Sequence, residues 1–202
     1  IGPGVLKSDL RYFNSTDDGK NGHDSAYYTT GDYANSSAGS GKGKVDNNLI
    51  SGLFLYTVEG HTFGGGYQVS NGSSDFPFLN QGDGASAYIP TDSQISKFAR
   101  AGERTWQARY SYDFAKVGVP GLTAGAVYLR GDNIDTYNSS KVQTSNGASE
   151  WERDITVAYV VQEGTLKNLG FMWKNAMWRN DIASQRDQDE NRLIVSYSIP
   201  LL

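Results

Sequence analysis

The sequence has 202 residues, with 24 glycines, 13 tyrosines, no cysteine and a formal net charge of −4. The lack of cysteine excludes disulfides and thiolate metal sites, and a negative charge without a basic cluster argues against a nucleic-acid partner. No run of about 18 or more apolar residues is present, so no transmembrane helix is predicted. A mean hydropathy of −0.52 is compatible with a transmembrane β-barrel, in which only alternate residues of each strand are apolar.

Apolar and polar residues alternate with a period of two in eight segments, which predicts β-strands with one aromatic face and one polar face. In residues 104–114, Trp106, Ala108 and Tyr110 alternate with Gln107 and Arg109. The predicted strands are, in chain order, residues 5–13, 48–58, 61–70, 104–114, 122–132, 151–162, 169–179 and 191–202. Most have about the 9–11 residues that a tilted strand needs to cross a bilayer.

The connections between these segments alternate between long and short. Residues 14–45, 71–103, 133–149 and 181–190 are polar and are predicted to be loops, whereas Glu59-Gly60, Pro120-Gly121 and residues 163–168 are predicted to be short turns. This asymmetry is typical of outer-membrane barrels, whose long loops are extracellular and whose short turns are periplasmic. We therefore predict an all-β fold, a transmembrane antiparallel up-and-down β-barrel, with the short turns in the periplasm.

The position of the cations in this alternation predicts which way they point. An Arg or Lys that faces lipid at mid-membrane costs roughly 2–4 kcal/mol, and the cost falls towards zero at the interfaces. Lys7, Arg11, Arg109 and Lys174 lie on the face opposite the aromatic residues, so we expect them in the lumen. Arg130, Arg153 and Arg179 fall on the lipid side, but they lie near the loop ends of their strands.

Several long motifs resemble the OprD-type outer-membrane porins, the substrate-selective channels of pseudomonads and their relatives. They are DLRYF with TDDG, SGLFLYTVEGHTFGGGYQ, WQARYSYDF with VGVPGLTAG and YLRGDN, AYVVQEGTLKNLGF, and the terminal RLIVSYSIPLL. The resemblance implies an eighteen-stranded barrel. Residues 1–202 would then be a single barrel domain comprising its last eight strands, in the C-terminal part of a longer chain.

The resemblance also implies a function. The family takes up small carboxylate-bearing nutrients, including amino acids, along a ladder of basic side chains that leads to an eyelet formed by inward-folded loops. By position, Lys7, Arg11, Arg109, Lys174 and Arg192 resemble the ladder, and Asp83 and Tyr88 resemble eyelet residues. We expect no cofactor and no enzymatic activity, contact with outer-membrane lipid and lipopolysaccharide, and a monomer or a loose trimer in the bacterial outer membrane.

Alternative interpretations remain open. The cations could merely pair with lumen carboxylates, and the apolar residues Leu53, Leu55, Val127 and Leu129 stand where a basic track would prefer Arg or Lys, unless inward loops contact them. The chain could also be a complete, closed eight-stranded barrel that serves as a membrane anchor or adhesion protein, with an interior filled by side chains. A membrane-embedded hydrolase or acyltransferase is disfavoured, because no catalytic constellation is present.

Overall fold

Eight antiparallel strands form one sheet, in which each strand pairs with its neighbours in sequence order. This computed structural model describes residues 3–16, 45–78, 88–137, 143–183 and 185–198. A 3-10 turn at Phe114–Val117 is the helical element in these ranges, and no helix found there could cross a membrane. The strands are β1 Val5–Thr16, β2 Asp46–Val58, β3 His61–Gly72, β4 Arg104–Asp113, β5 Leu122–Tyr137, β6 Gln143–Val160, β7 Leu169–Asn180 and β8 Gln188–Tyr197.

The predicted short turns are confirmed at one end of the sheet. Between β2 and β3, Glu59 and Gly60 both have positive φ, at 49° and 86°, as a two-residue hairpin turn of this kind requires. Residue 114, predicted to be in a strand, instead starts the 3-10 turn, where the Asp113 side chain accepts a hydrogen bond from the Ala115 N–H and Gly118, at φ 89°, ends the turn. Proline and glycine then lead into β5.

The prediction that residues 133–149 form a polar loop is wrong. Strand β5 has 16 residues and β6 has 18, and they continue as a paired ribbon up to the Tyr137–Gln143 pair. A register shift follows Gly131, and Asn133 adopts a φ of 61° there. Ile134 and Ala148 pair there and are buried with Ile182, but the other residues of the ribbon are mostly polar and its register is irregular, so the period-two signal is lost although the pairing continues.

The connection between β3 and β4 returns across the polar face of the sheet. We call residues 88–103 the inner loop and the face that they cover the inner face. Leu49 on β2 packs with Phe76, Ile89 and Ala99 in a buried apolar cluster. The connection thus packs on itself through Phe76, Ile89 and Ala99, and Leu49 joins it to the sheet.

The two edges of the sheet are open. In the described ranges β1 pairs only with β2, and β8 pairs only with β7. Each edge strand therefore presents one row of backbone N–H and C=O groups without a strand partner, which is a template for pairing with further strands.

Truncation of Leu49 tests how the inner loop is held. Leu49 is fully buried, so Leu49→Ala should lower the free energy of unfolding by about 2–5 kcal/mol through lost burial and a residual cavity. Leu166→Ala, in the exposed turn before β7, should change it by less than about 0.5 kcal/mol. Urea unfolding followed by tryptophan fluorescence measures both, and equal effects would contradict the packing role of Leu49.

Candidate substrate pathway

All the predicted pathway cations lie on the inner face. Register pairs Lys7 with Leu55, Leu55 with Gly64, and Gly64 with Arg109, so these residues form one row across four strands. On the last two strands Lys174 lies directly opposite Arg192. The alternation in the sequence therefore predicted the correct face for Lys7, Arg11, Arg109 and Lys174, and Arg192, named from the resemblance, lies on the same face.

Each of the three arginines is held by a side chain two residues earlier on its own strand. Asp9 accepts from Arg11 at 2.6 and 2.8 Å, and Glu190 accepts from Arg192 at the same two distances. Gln107 accepts from Arg109 Nε at 2.6 Å. Residues i and i−2 share one face of a strand, so the strand itself sets the direction of each guanidinium.

The same arginines hold the backbone of the inner loop. Each donates a guanidinium N–H to a main-chain carbonyl of this segment, at 2.9 Å for Arg11 and 3.0 Å for Arg192. The acceptors are Tyr88 O for Arg11, Pro90 O for Arg109 and Gln94 O for Arg192. With five N–H donors each, the arginines connect wall and loop and still keep N–H groups that none of these bonds uses.

Tyr88 lies beside the pathway arginines, as an eyelet residue would. The guanidinium carbon of Arg11 is 4.6 Å from the centroid of the Tyr88 ring, which is cation–π geometry. Asp83, the other predicted eyelet residue, lies outside the described residues. The eyelet role of both residues stays a prediction.

The lysines differ from the arginines. Neither Lys7 nor Lys174 forms a hydrogen bond or an ion pair with any residue that the structure describes. Lys7 is exposed and Lys174 is half-buried. Their ammonium groups are therefore not fixed by such bonds, although Glu190 attracts Lys174 electrostatically.

Three carboxylates on β6 form an acidic wall that the sequence interpretation did not identify. Glu152 accepts from the backbone N–H groups of Ile95 and Ser96 at 2.8 and 2.7 Å, and Asp154 accepts from Ser93 Oγ at 2.7 Å. The members of the acidic wall are Glu150, Glu152 and Asp154, and Glu150 accepts from Ser96 Oγ and Trp178 Nε1. Their spacing of two residues on the polar face was the available signal.

A fourth carboxylate lies at the end of the inner loop, just before β4. Glu103 is buried and accepts from the Arg100 N–H at 2.9 Å. Burial, reinforced by the nearby Glu150 carboxylate, raises the pKa of Glu103 well above its usual value. This end of the loop is therefore sensitive to proton concentration.

Small and apolar residues on the inner face leave space for the inner loop and for the arginines that bind its carbonyls. A Cβ on Gly64 would come within 2.9 Å of Arg109 Cβ and 2.7 Å of Leu55 Cδ2. Leu53 and Leu129, which depart from a basic track, are buried on the inner face. Contact with an inward segment, the alternative role for such leucines, fits this burial.

Long antiparallel strands with an aromatic outer face and a polar inner face crossed by a folded-in segment are the features of a porin. Comparison with known proteins gives the family. The model of the outer membrane porin, OprD family, matches residues 1–201. The chain belongs to the OprD family of outer membrane porins.

Individual relatives support this family assignment. The chain is 34% identical over 202 residues to the porin-like protein GalP of Pseudomonas putida, covering 100% of this chain and 42% of that protein, and 33% identical to Porin D of Pseudomonas aeruginosa, covering 90% and 43%. The crystal structure of Pseudomonas aeruginosa OccK8 (OprE) matches with a TM-score of 0.81 and 58% identity, over 100% of this chain and 48% of that one. The chain thus spans about half the length of its relatives. The match to a porin family confirms the expectation that the chain is not an enzyme.

Replacement of Glu152 tests the acidic wall. Glu152→Gln keeps one carbonyl acceptor but turns an amide donor towards the second backbone N–H, and a hydrogen bond to a charged group contributes about 1.5–3 kcal/mol. Hydrogen exchange at the Ile95 and Ser96 amides should accelerate roughly tenfold to a hundredfold, from the same energies. Glu163→Gln, in the exposed turn after β6, serves as the control. Unchanged protection in Glu152→Gln would contradict the anchoring role.

Protonation of Glu103 gives a pH dependence with a defined sign. Its folded-state pKa is raised, so its contribution to stability is fully present below the unfolded pKa of about 4.3 and is lost as pH rises through the folded value. Glu103→Gln should flatten the pH dependence of exchange at the Arg100 and Ala101 amides and protect them better at neutral pH. A variant that kept the wild-type pH profile would show that another group titrates.

Proposed function

We propose that this chain forms the last eight strands of an eighteen-stranded outer-membrane barrel and lines part of its channel. Two observations support the proposal. Both edge strands lack a second partner in the described part of the chain, and the chain covers 42–50% of the relatives' lengths. A strand edge left open to lipid would leave backbone polar groups unsatisfied. The alternative, a closed eight-stranded anchor, would need β1 to pair with β8.

We further propose that the channel passes small carboxylates, including amino acids, along the basic residues of the inner face. The observation that carries this proposal is that the carboxylates of that face are engaged within the protein, whereas two of its lysines are not. Asp9 and Glu190 pair with arginines, and the acidic wall is occupied by donors of the inner loop. No salt bridge or hydrogen bond to a described residue holds Lys7 or Lys174, so their ammonium groups are available to a solute carboxylate.

The cations would divide the work in this pathway. Lys7 and Lys174 attract and release the solute carboxylate, because a transport site must bind well enough to attract and weakly enough to release. The three arginines add positive potential, and their hydrogen bonds to the carbonyls of Tyr88, Pro90 and Gln94 keep the inner loop in place. Asp83 is proposed to face the same constriction. A monomer or loose trimer remains our expectation for the assembly.

Removing the lysine charges while keeping the arginine–loop hydrogen bonds tests the pathway. An ammonium about 6 Å from a carboxylate in water contributes about 0.7 kcal/mol, or about threefold in local concentration. Lys7→Gln and Lys174→Gln should each lower carboxylate flux about threefold and shift the reversal potential in planar bilayers towards cations. Lys167→Gln, in the exposed turn before β7, should change neither quantity.

A charge-conserving substitution separates the two roles of the arginines. Arg192→Lys keeps the positive charge but cannot hold Glu190 with two N–H groups and reach Gln94 O at the same time. It should therefore keep the anion preference while increasing open-channel noise, as the inner loop loosens. An unchanged reversal potential in the double variant Lys7→Gln/Lys174→Gln would refute the carboxylate pathway.

A further inference from the structure

A line of arginines crosses the outer face of the sheet, opposite to the inner face. Arg104, Arg130, Arg153 and Arg179 lie on four successive strands, β4 to β7, and all share the parity of the aromatic outer residues. Register places Arg130 opposite Trp106 and Arg153 opposite Tyr128, so neighbouring arginines are offset diagonally by two residues. The Cα atoms of such diagonal neighbours are about 7–8 Å apart.

Two of these arginines have no carboxylate partner. Arg179 pairs with Asp189 at 2.7 Å and lies 3.7 Å from Asp187, and Arg104 lies opposite Asp132 in register. In the described ranges Arg130 forms no ion pair or hydrogen bond. Arg153 donates to the neutral Asn175 side chain. The middle of the line therefore carries two guanidinium groups that no salt bridge holds, although Asp189 attracts Arg153 electrostatically across β7.

Aromatic rings complete this part of the surface. Tyr128 and Trp151 stack with centroids 5.9 Å apart and an interplanar angle of 24°. They alternate with the two arginines, because Tyr128 is opposite Arg153 and Arg130 is opposite Trp151. Tyr and Trp mark the level of the lipid headgroups in membrane proteins, so the guanidinium groups lie at headgroup level and not in the hydrocarbon.

We propose that Tyr128, Arg130, Trp151 and Arg153 form a headgroup site for a phosphate-bearing glycolipid of the outer leaflet, of the lipid A type. Two guanidinium groups at this spacing can donate to the oxygens of one phosphate from two sides, and the stacked rings supply a flat apolar surface for the adjoining sugar and acyl carbons. The site depends on the proposed orientation, in which this end of β5 and β6 is extracellular. It does not depend on what the channel transports.

Lipid binding can be measured on the whole barrel purified from outer membranes and stripped of lipid by detergent. Bisphosphorylated lipid A is added, and retained lipid is counted by native mass spectrometry. Arg130→Gln/Arg153→Gln should bind it about tenfold more weakly, because charge-assisted hydrogen bonds are lost. Lys116→Gln, which removes one cation at the periplasmic end of the sheet, should bind like the wild type.

Two further arms identify the ligand and exclude misfolding. Dephosphorylated lipid A should bind the wild type as weakly as lipid A binds the double variant, and phosphatidylglycerol should not replace lipid A. Arg130→Gln alone should lose part of the binding without a folding defect, since Arg130 contacts no described side chain through a hydrogen bond or ion pair. Equal retention of lipid A by the wild type and the double variant, or equal binding of both lipid A forms, would overturn the proposal. Ion selectivity should be unchanged in these variants, so failure here is distinguishable from failure of the carboxylate pathway.

Discussion

The backbone of the inner loop must find hydrogen-bond partners inside a barrel, and this constraint accounts for most of the inner face. An irregular segment has N–H and C=O groups that no ladder satisfies, and leaving them unpaired away from water is costly. The wall supplies complementary groups. Carboxylates of β6 accept from the loop's N–H groups, and guanidinium groups donate to its carbonyls. Many of the charged groups on the wall thus bind the backbone of the inner loop.

The same arrangement separates fixed from free charge. An arginine held by a side chain at i−2 and by a loop carbonyl has little rotational freedom, and its remaining N–H groups point in a set direction. A lysine without such bonds is a flexible, strongly hydrated point charge. A channel needs both properties, because fixed dipoles and charges define the constriction while weak, exchanging contacts permit release. Arg192 and Lys174, directly opposite each other on β7 and β8, place one of each kind side by side.

Much of the fold could be predicted because a strand's faces alternate locally. The order of the eight strands, the short turns and the face of Lys7, Arg109 and Lys174 all follow from a period of two. The ribbon beyond Gly131 could not be predicted, because register shifts interrupt the period of two and its few apolar residues, Ile134 and Ala148, are too sparse to show it. The acidic wall carried its period plainly at Glu150 and Glu152, but its partners lie more than fifty residues away in the chain. Contacts of that separation depend on how the connection folds back, and alternation within one strand contains no information about it.

The leucines of the inner face show how a departure from a family pattern can carry structural information. A basic track would favour cations at Leu53 and Leu129, and their apolar character suggests at first a weaker preference for anions. Both side chains are buried, and a cation there would lose its hydration without a partner, at a cost of several kcal/mol. Leu49 shows what such a position gains, since it packs directly with Ile89 and Ala99 of the inner loop. Apolar residues beneath the loop and arginines along it are therefore two parts of one arrangement: the first fix where the segment lies, and the second satisfy its carbonyl groups.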